Sequence, residues 1–467
     1  MNFLLESMNL LPATLLKLML ITSLLSALSP IFVYRHNSKI LSNMLLLPIA
    51  GCFIESLAIT YFYIYSGRAD WRLLYIPPIE LTFHLESLSL VFLNLLTGLW
   101  CISTLYAINH MKKVDKENQV RFLTFIGCTI FAAIWVALSQ NLFTMLIGYE
   151  MLTLFTVPLV GHHHFDRVEV LKYIRILFSA SLGLFMPFVL LTYHFAGSVD
   201  FAYGGIFPDD MSYYLQHLML ALMFFGIAKT AILPLYGWLT SAMIAPYPVS
   251  ALLHAVAVVK VGLFCVLKII IYIFGIEKLA ILLHDFNWPL IVASITLFYA
   301  SFKAISTGII KHVLAYSTIA NLALVMVAFF ILSPESLRAG ITHMIAHSFT
   351  KITLFFVAGI FFVQTKSNHL NDLKGIGRKS PIAASLFIVA SLSLIGIPPL
   401  AGSVSKTLLW NVFVDHKYAM MLKPLIIVYS MAVIFYMGKL CYLILSKNTR
   451  VSDRVQISGM EVAALLA

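Results

Sequence analysis

Charge is scarce in this chain. Only 11% of its 467 residues are Asp, Glu, Lys or Arg, while 61% are hydrophobic and the mean hydropathy is +0.93. A soluble domain carries roughly a quarter charged residues, so a chain built this way is not one. Cysteine is scarce as well. Cys52, Cys101, Cys128, Cys265 and Cys441 all fall inside apolar runs and never form CxxC, so they make no case for a zinc, haem or iron–sulfur framework. GxGxxG and the P-loop are both missing. "KGIGRKS" at 374–380 has two glycines, but it precedes a proline-started run and reads as a capping turn. Long polar loops are missing too, which leaves no room for a sizeable soluble domain. No cofactor is expected in this chain, and any redox chemistry would belong to partner subunits.

What fills the chain instead is apolar runs of helix length. About thirteen recur, each of the ~20 residues needed to cross hydrocarbon as a helix. Only helices or closed barrels satisfy the backbone in lipid, and runs this long argue for helices. The expectation is an all-α polytopic membrane protein. The net charge of +11 fits this reading without invoking nucleic acid. About eighteen Lys and Arg, among them Lys112, Lys113, Arg167, Lys172, Arg175, Lys374, Arg378 and Lys379, fall in one set of alternate loops, against about six in the other. This bias puts the N-terminus outside and the tail after helix 13 in the cytoplasm. The first run follows Glu6 without a small-residue cleavage site and reads as a retained helix. Lys17 in "MNLLPATLLKLML" reads as a snorkelling residue on a lipid-facing helix. "TYFYIYSGRADWRLLY" (60–75) reads as an interfacial aromatic belt with a short external loop.

The charges that do lie inside apolar runs carry the functional signal. A Lys or Glu at mid-helix costs about 2.5–3.5 kcal/mol on insertion scales, and such residues mark ion pathways. Glu150 lies in the fifth run, Lys229 in the seventh, and His254 and Lys260 in the eighth. Lys303 and Lys311 bracket the junction of the ninth and tenth. The eleventh holds His343, His347 and Lys351, and the twelfth Lys406. In "ITHMIAHSFTKITLFF" the three basic groups recur every four residues, a step that turns a helix only about 40° past a full revolution. They therefore share one slanting stripe over two turns, as a proton relay requires, and imidazole titrates near neutrality. The alternative is histidines that only hydrogen-bond neighbouring helices. Glu150 and Lys229 invite pairing, either as a proton switch or as a static ion pair.

Two of these runs contain helix breakers close to their lysines. Pro234 follows Lys229 by five residues, and Pro398 and Pro399 precede Lys406. Proline removes an intrahelical hydrogen bond and clashes with the preceding turn. Broken helices at membrane depth often line ion sites. "HHH" at 162–164 with Asp166 reads as a loop rather than a metal cluster, because Arg167 and Lys172 beside it disfavour a cation.

These motifs resemble the antiporter-like subunits shared by complex I, membrane-bound hydrogenases and Mrp-type multisubunit cation/proton antiporters. The resemblance is carried by "GIAKTAILPLYGWLTSAMIAPYPVSALLHAVAVVKVG" (226–262), "KHVLAYSTIANLALVM" (311–326), "HMIAHSFTKITLFFVAG" (343–359) and "SLSLIGIPPLAGSVSK" (391–406), in that order. It covers about residues 80 to 445, and "HAVAVVK" looks nearest the Mrp D-type branch. It implies helices 1–3 over 1–110, inverted repeats over 111–275 (helices 4–8) and 276–446 (helices 9–13), and broken helices 7 and 12. It also implies a mid-membrane proton pathway through Glu150, Lys229, His254, Lys260, Lys311, His343, His347, Lys351 and Lys406, and a site in a cell inner membrane among other membrane subunits of a complex. The transported ions would be protons, with Na⁺ as the possible exchange partner. The rival readings are a non-conducting structural remnant and an inorganic-carbon uptake subunit. Thr240, Tyr247 and Ile309 depart from the family pattern, where proline, threonine and an acidic residue are usual. "SGMEVAALLA" (458–467) reads as the first turns of a fourteenth helix, so the chain looks truncated or degenerate at that end.

Overall fold

The computed structural model describes residues 2–34, 41–66, 70–76, 79–115, 117–162 and 167–447. The expected beginning of a fourteenth helix, and His163, His164 and Asp166 of the histidine cluster, lie outside them. In chain order come α1 (Asn2–Tyr34), α2 (Leu41–Ser66), β1 (Asp70–Ile76), β2 (Ile79–His84), α3 (Ser87–Val114), α4 (Gln119–Leu138) and α5 (Leu142–Val160). A single span then comprises α6 (Arg167–Ala180), a π-helical turn (Ser181–Phe185) and α7 (Met186–Ala196). After α8 (Tyr213–Gly226) follow a 3₁₀ turn (Ala228–Thr230), α9 (Gly237–Ser241) and a second 3₁₀ turn (Ala242–Ile244). Next are α10 (Tyr247–Ala251), a π turn (Leu252–Val256), α11 (Val258–Ile269), another π turn (Ile270–Phe274) and α12 (Ile276–Leu282). The remainder is α13 (Trp288–Ser306), α14 (Ile310–Phe329), α15 (Pro334–Thr365), α16 (Pro381–Ile395), α17 (Ala401–Asp415) and α18 (Ala419–Leu445).

Among the described residues, eleven helices are long and apolar enough to cross a membrane. The protein is therefore a polytopic helical membrane protein. The seventh and twelfth apolar runs are missing from that count because each is broken into shorter pieces. The first is interrupted between α8 and α9, around Pro234, and the second between α16 and α17, around Pro398 and Pro399. Backbone groups released at a break need partners when water is absent. At the first break, Trp238 donates its indole N–H to the Ala228 carbonyl at 2.8 Å, and Thr296 Oγ1 accepts from Leu233 N–H at 3.2 Å. At the second, the Lys406 ammonium donates to the Ile395 carbonyl at 2.9 Å, and Ser393 Oγ accepts from Gly402 N–H at 3.3 Å.

Local chemistry explains where the helices begin. Asn141 caps α5 by accepting from Thr144 N–H at 2.7 Å, and Asn287 caps α13 by accepting from Leu290 N–H at 3.2 Å. Ser333 and Ser336 form a reciprocal capping box on α15, whose first residue is Pro334. Pro381 likewise opens α16, and Gly396 ends it at φ +98, a conformation that costs a residue with a Cβ.

One stretch departs from the all-helical expectation. In the stretch 60–75, expected to be an interfacial aromatic belt with a short loop, α2 runs on to Ser66. From Asp70, however, the chain is a strand paired antiparallel with β2, from Asp70↔His84 to Ile76↔Ile79. The aromatic and β-branched residues of the two strands, Trp71, Tyr75, Ile76, Ile79, Thr82 and Phe83, favour that state. The ribbon is tied to the start of α5, where Asn141 Nδ2 donates to Thr82 Oγ1 at 2.8 Å and to the Glu80 carbonyl at 3.0 Å. Lys17 is exposed, and its ammonium lies 5.8 Å from the Trp71 ring centre.

The chain forms two compact units that do not follow sequence order. The first comprises residues 1–162, 177–227 and 256–278, and the second 163–176, 228–255 and 279–467. In the first, α1 packs on α2 and α4, and α4 on α5. In the second, α13, α14 and α15 pack in sequence, with α16, α17 and α18 grouped around α15 and α13.

Candidate functional site

In the first unit, Glu150 sits on α5 with both carboxylate oxygens buried and no hydrogen-bond partner among the described residues. Lys260 is fully buried on α11. Lys229 belongs to the second unit, so the expected Glu150–Lys229 pair draws on both units and each residue stands here within its own. Lys229 lies in the 3₁₀ turn at the first helix break and is fully buried.

The second unit gathers the other sequence-derived residues. Lys311, near the start of α14, donates to the Ala245 and Met243 carbonyls at 2.6 and 3.1 Å, capping the 3₁₀ turn Ala242–Ile244. Its ammonium also lies 4.4 Å from the centre of the Tyr247 ring, the residue at one of the departures from the family pattern. Lys303 is exposed and takes no part. His254 is buried in the π turn beside the Phe355 ring, with centres 5.0 Å apart. π turns recur at functional sites, and no residue pattern in "ALLHAV" signals this one.

The stripe on α15 forms as its spacing requires. His343, His347 and Lys351 are all buried on one uninterrupted helix, and the first two rings lie 6.3 Å apart, centre to centre. Lys351 donates to the Ser317 hydroxyl and, at 3.2 Å, to the Leu314 carbonyl. His343 is held from two sides. Its Nε2 lies 3.0 Å from Asn321 Oδ1 on α14, and its Nδ1 lies 3.0 Å from Ser405 Oγ on α17. Asn321 Oδ1 also accepts from the Tyr429 hydroxyl of α18 at 2.7 Å, and the same Tyr429 ring lies under the Lys406 ammonium, 4.9 Å away. Lys406 lines a cavity of about 380 Å³ together with Ser403, Trp410 and Ser430. Four helices thus converge on a hydrogen-bonded cluster inside an apolar interior. Each buried polar atom in such a place must be matched or it destabilises the fold.

Several members escape a reading based on charge. Ser317, Asn321, Ser405 and Tyr429 are neutral and sit in ordinary apolar surroundings in the sequence, so nothing distinguishes them until the helices meet. Glu86 and Lys268 escape it too. They form a buried ion pair at 2.8 Å in the first unit, where Lys268 also donates to the Ser139 carbonyl at 2.6 Å. The available signal is a lone charge at the edge of each run, "HLESLSL" and "CVLKIII". His162, from the histidine cluster, lies 3.3 Å from an Asp115 carboxylate oxygen.

Comparison with known proteins fits this geometry. The chain is 28% identical over 365 residues to the A/B subunit of a probable K⁺/H⁺ antiporter of Rhizobium meliloti, covering 76% of this chain and 35% of that one. It is 26% identical over 400 residues to the L subunit of NADH-quinone oxidoreductase of Buchnera aphidicola, covering 81% and 63%. It thus spans about a third to two thirds of the length of these relatives. In fold it is similar to a chain of the Mrp complex from a Dietzia species, with a TM-score of 0.83 at 20% identity over 96% of this chain and 49% of that one. Residues 139–433, which carry nearly all of the buried lysines and histidines above, match the family described as NADH:quinone oxidoreductase/Mrp antiporter, transmembrane. With more than half of its length matched over these helices, the chain belongs to that family.

Proposed function

We propose that this protein moves protons across the membrane through its buried lysines and histidines, within a complex of other membrane subunits. The observation that carries the reading is the α15 stripe with its partners from α14, α17 and α18. Two histidines and a lysine follow one another along one buried helix face, with His343 hydrogen-bonded to a hydroxyl and an amide group and Lys351 to a hydroxyl. Proton hopping needs donors and acceptors in series, and ionisable groups kept inside a membrane despite their cost mark such paths. Lys229, His254 and Lys311 of the second unit and Glu150 and Lys260 of the first are the other proposed proton carriers, and Lys406 at the second helix break lines a cavity. The names of the relatives support exchange against a monovalent cation as the second reading. Sidedness follows the alternate-loop charge bias, with the N-terminus outside and the tail after helix 13 in the cytoplasm of a cell inner membrane.

The test is proton flux into inverted vesicles, read with a pH-sensitive dye, with the natural partner subunits co-expressed. Flux is driven first by NADH and then by a Na⁺ gradient. Lys229→Ala and Lys351→Ala are expected to abolish flux while the protein stays inserted. Unchanged flux in both refutes the pathway, and the driving condition separates redox-coupled conduction from antiport.

A further inference from the structure

The hydrogen bonds around His343 determine which ring nitrogen carries its proton. Asn321 Nδ2 donates to the Ser317 carbonyl at 2.6 Å, so its amide is oriented with Oδ1 toward His343 and Tyr429. Tyr429 spends its only hydroxyl proton on that oxygen. An oxygen 3.0 Å from Nε2 is tolerable only if Nε2 donates, so the neutral ring is the Nε2–H tautomer with its lone pair on Nδ1. That lone pair faces Ser405 Oγ, which is fully buried and lies 3.0 Å from Nδ1 and 3.1 Å from the Gly402 carbonyl. The serine has one proton and two acceptors for it.

We propose that Ser405 is a positioning residue for proton transfer at His343, a two-position hydroxyl that lets the buried ring hold or release a proton without moving. With His343 neutral, Ser405 donates to Nδ1. When a hydrated proton reaches Ser405 Oγ, the existing O–H bond breaks as its proton forms the Nδ1–H bond, and the arriving proton remakes the hydroxyl. The remade O–H turns to the Gly402 carbonyl, and Oγ accepts from Nδ1–H. Both states are fully hydrogen-bonded, and they differ by one proton and one torsion. Discharge is the reverse. The inference rests on the proton-transport reading for its purpose, but not for its geometry.

The experiment uses the full chain with its partner subunits in lipid, labelled with ¹⁵N-histidine, with His343→Gln identifying the His343 signals. Solid-state NMR of the wild type is expected to show a neutral ring protonated at Nε2, with Nδ1 in the position of a hydrogen-bonded imine nitrogen. In Ser405→Ala, Nδ1 is expected to move to the position of an unbonded imine nitrogen while Nε2 stays protonated. Proton flux in the same variant is expected to fall about tenfold or more, the scale of a lost hydrogen bond to a charged group. A neutral wild-type ring with its single proton on Nδ1 overturns the proposal, even if Ser405→Ala fails to accumulate. So does an Nδ1 signal unchanged by Ser405→Ala, or wild-type flux in that variant. A wild type that carries no flux yet shows both NMR signatures refutes the transport reading and leaves the two-position hydroxyl standing.

Discussion

Gly402 offers a perturbation whose size can be worked out from the backbone. It lies in the first turn of α17, where the chain doubles back against the end of α16. A Cβ built on it would sit 1.7 Å from the Ser393 carbonyl oxygen. Cβ atoms essentially never come within 3.0 Å of another heavy atom, so Gly402→Ala must part the two backbones by about 1.3 Å or more. Neither contact atom belongs to a flexible side chain, so a rotamer change does not relieve the clash. Moving α17 by that amount displaces Ser405 relative to His343, whose contact is now 3.0 Å, and strains the 3.3 Å bond from Gly402 N–H to Ser393. A misplacement of about 1 Å at a reacting centre costs on the order of a hundredfold in rate, and an overpacked core costs about 1–3 kcal/mol. Gly402→Ala is therefore expected to insert, to unfold several degrees lower in lipid nanodiscs, and to lose proton flux about a hundredfold. Gly438→Ala on α18, where nothing lies within 4 Å of the added Cβ, is the control and is expected to behave as wild type. Flux from Gly402→Ala matching that control would refute the argument that this close approach positions the second helix break.

Two further predictions come from other parts of the molecule. Lys268→Met leaves the Glu86 carboxylate buried beside no cation, with side-chain exposures of 1% for Lys268 and 10% for Glu86, and is expected to cost about 3–5 kcal/mol in thermal unfolding. The double variant Glu86→Gln, Lys268→Met should recover most of that loss; if it unfolds as early as Lys268→Met, the two side chains do not act as a pair. Tyr429→Phe removes the hydroxyl on Asn321 but keeps the ring under Lys406, so stability should fall by about 1 kcal/mol and flux only several-fold. Tyr429→Leu, which also removes the ring, should be more damaging to flux, and equal effects from the two would show that the ring contact is idle.

Residue order alone carried the membrane class and the positions of the costly charges, because both depend on the water–lipid transfer energy of each side chain. A buried lysine is conspicuous wherever it falls in an apolar run, and the four-residue recurrence of His343, His347 and Lys351 needs only the geometry of one helix. Proline marked both helix breaks for the same reason, since its missing N–H is a property of the residue itself. The paired strands Asp70–Ile76 and Ile79–His84 were less legible, because an aromatic, β-branched stretch suits an interfacial helix end or a strand until a partner strand is present. The π turn around His254 leaves no residue signature, and Glu86 with Lys268 looked like two unrelated charges 182 positions apart in the chain. The neutral residues that hold His343 became visible only on folding. Ser317, Asn321, Ser405 and Tyr429 come from three helices, and their roles rest on distances of about 3 Å set by how those helices pack. The energy of an isolated side chain in lipid can be read along a sequence, but a hydrogen bond belongs to two groups and exists only once tertiary packing has brought them together.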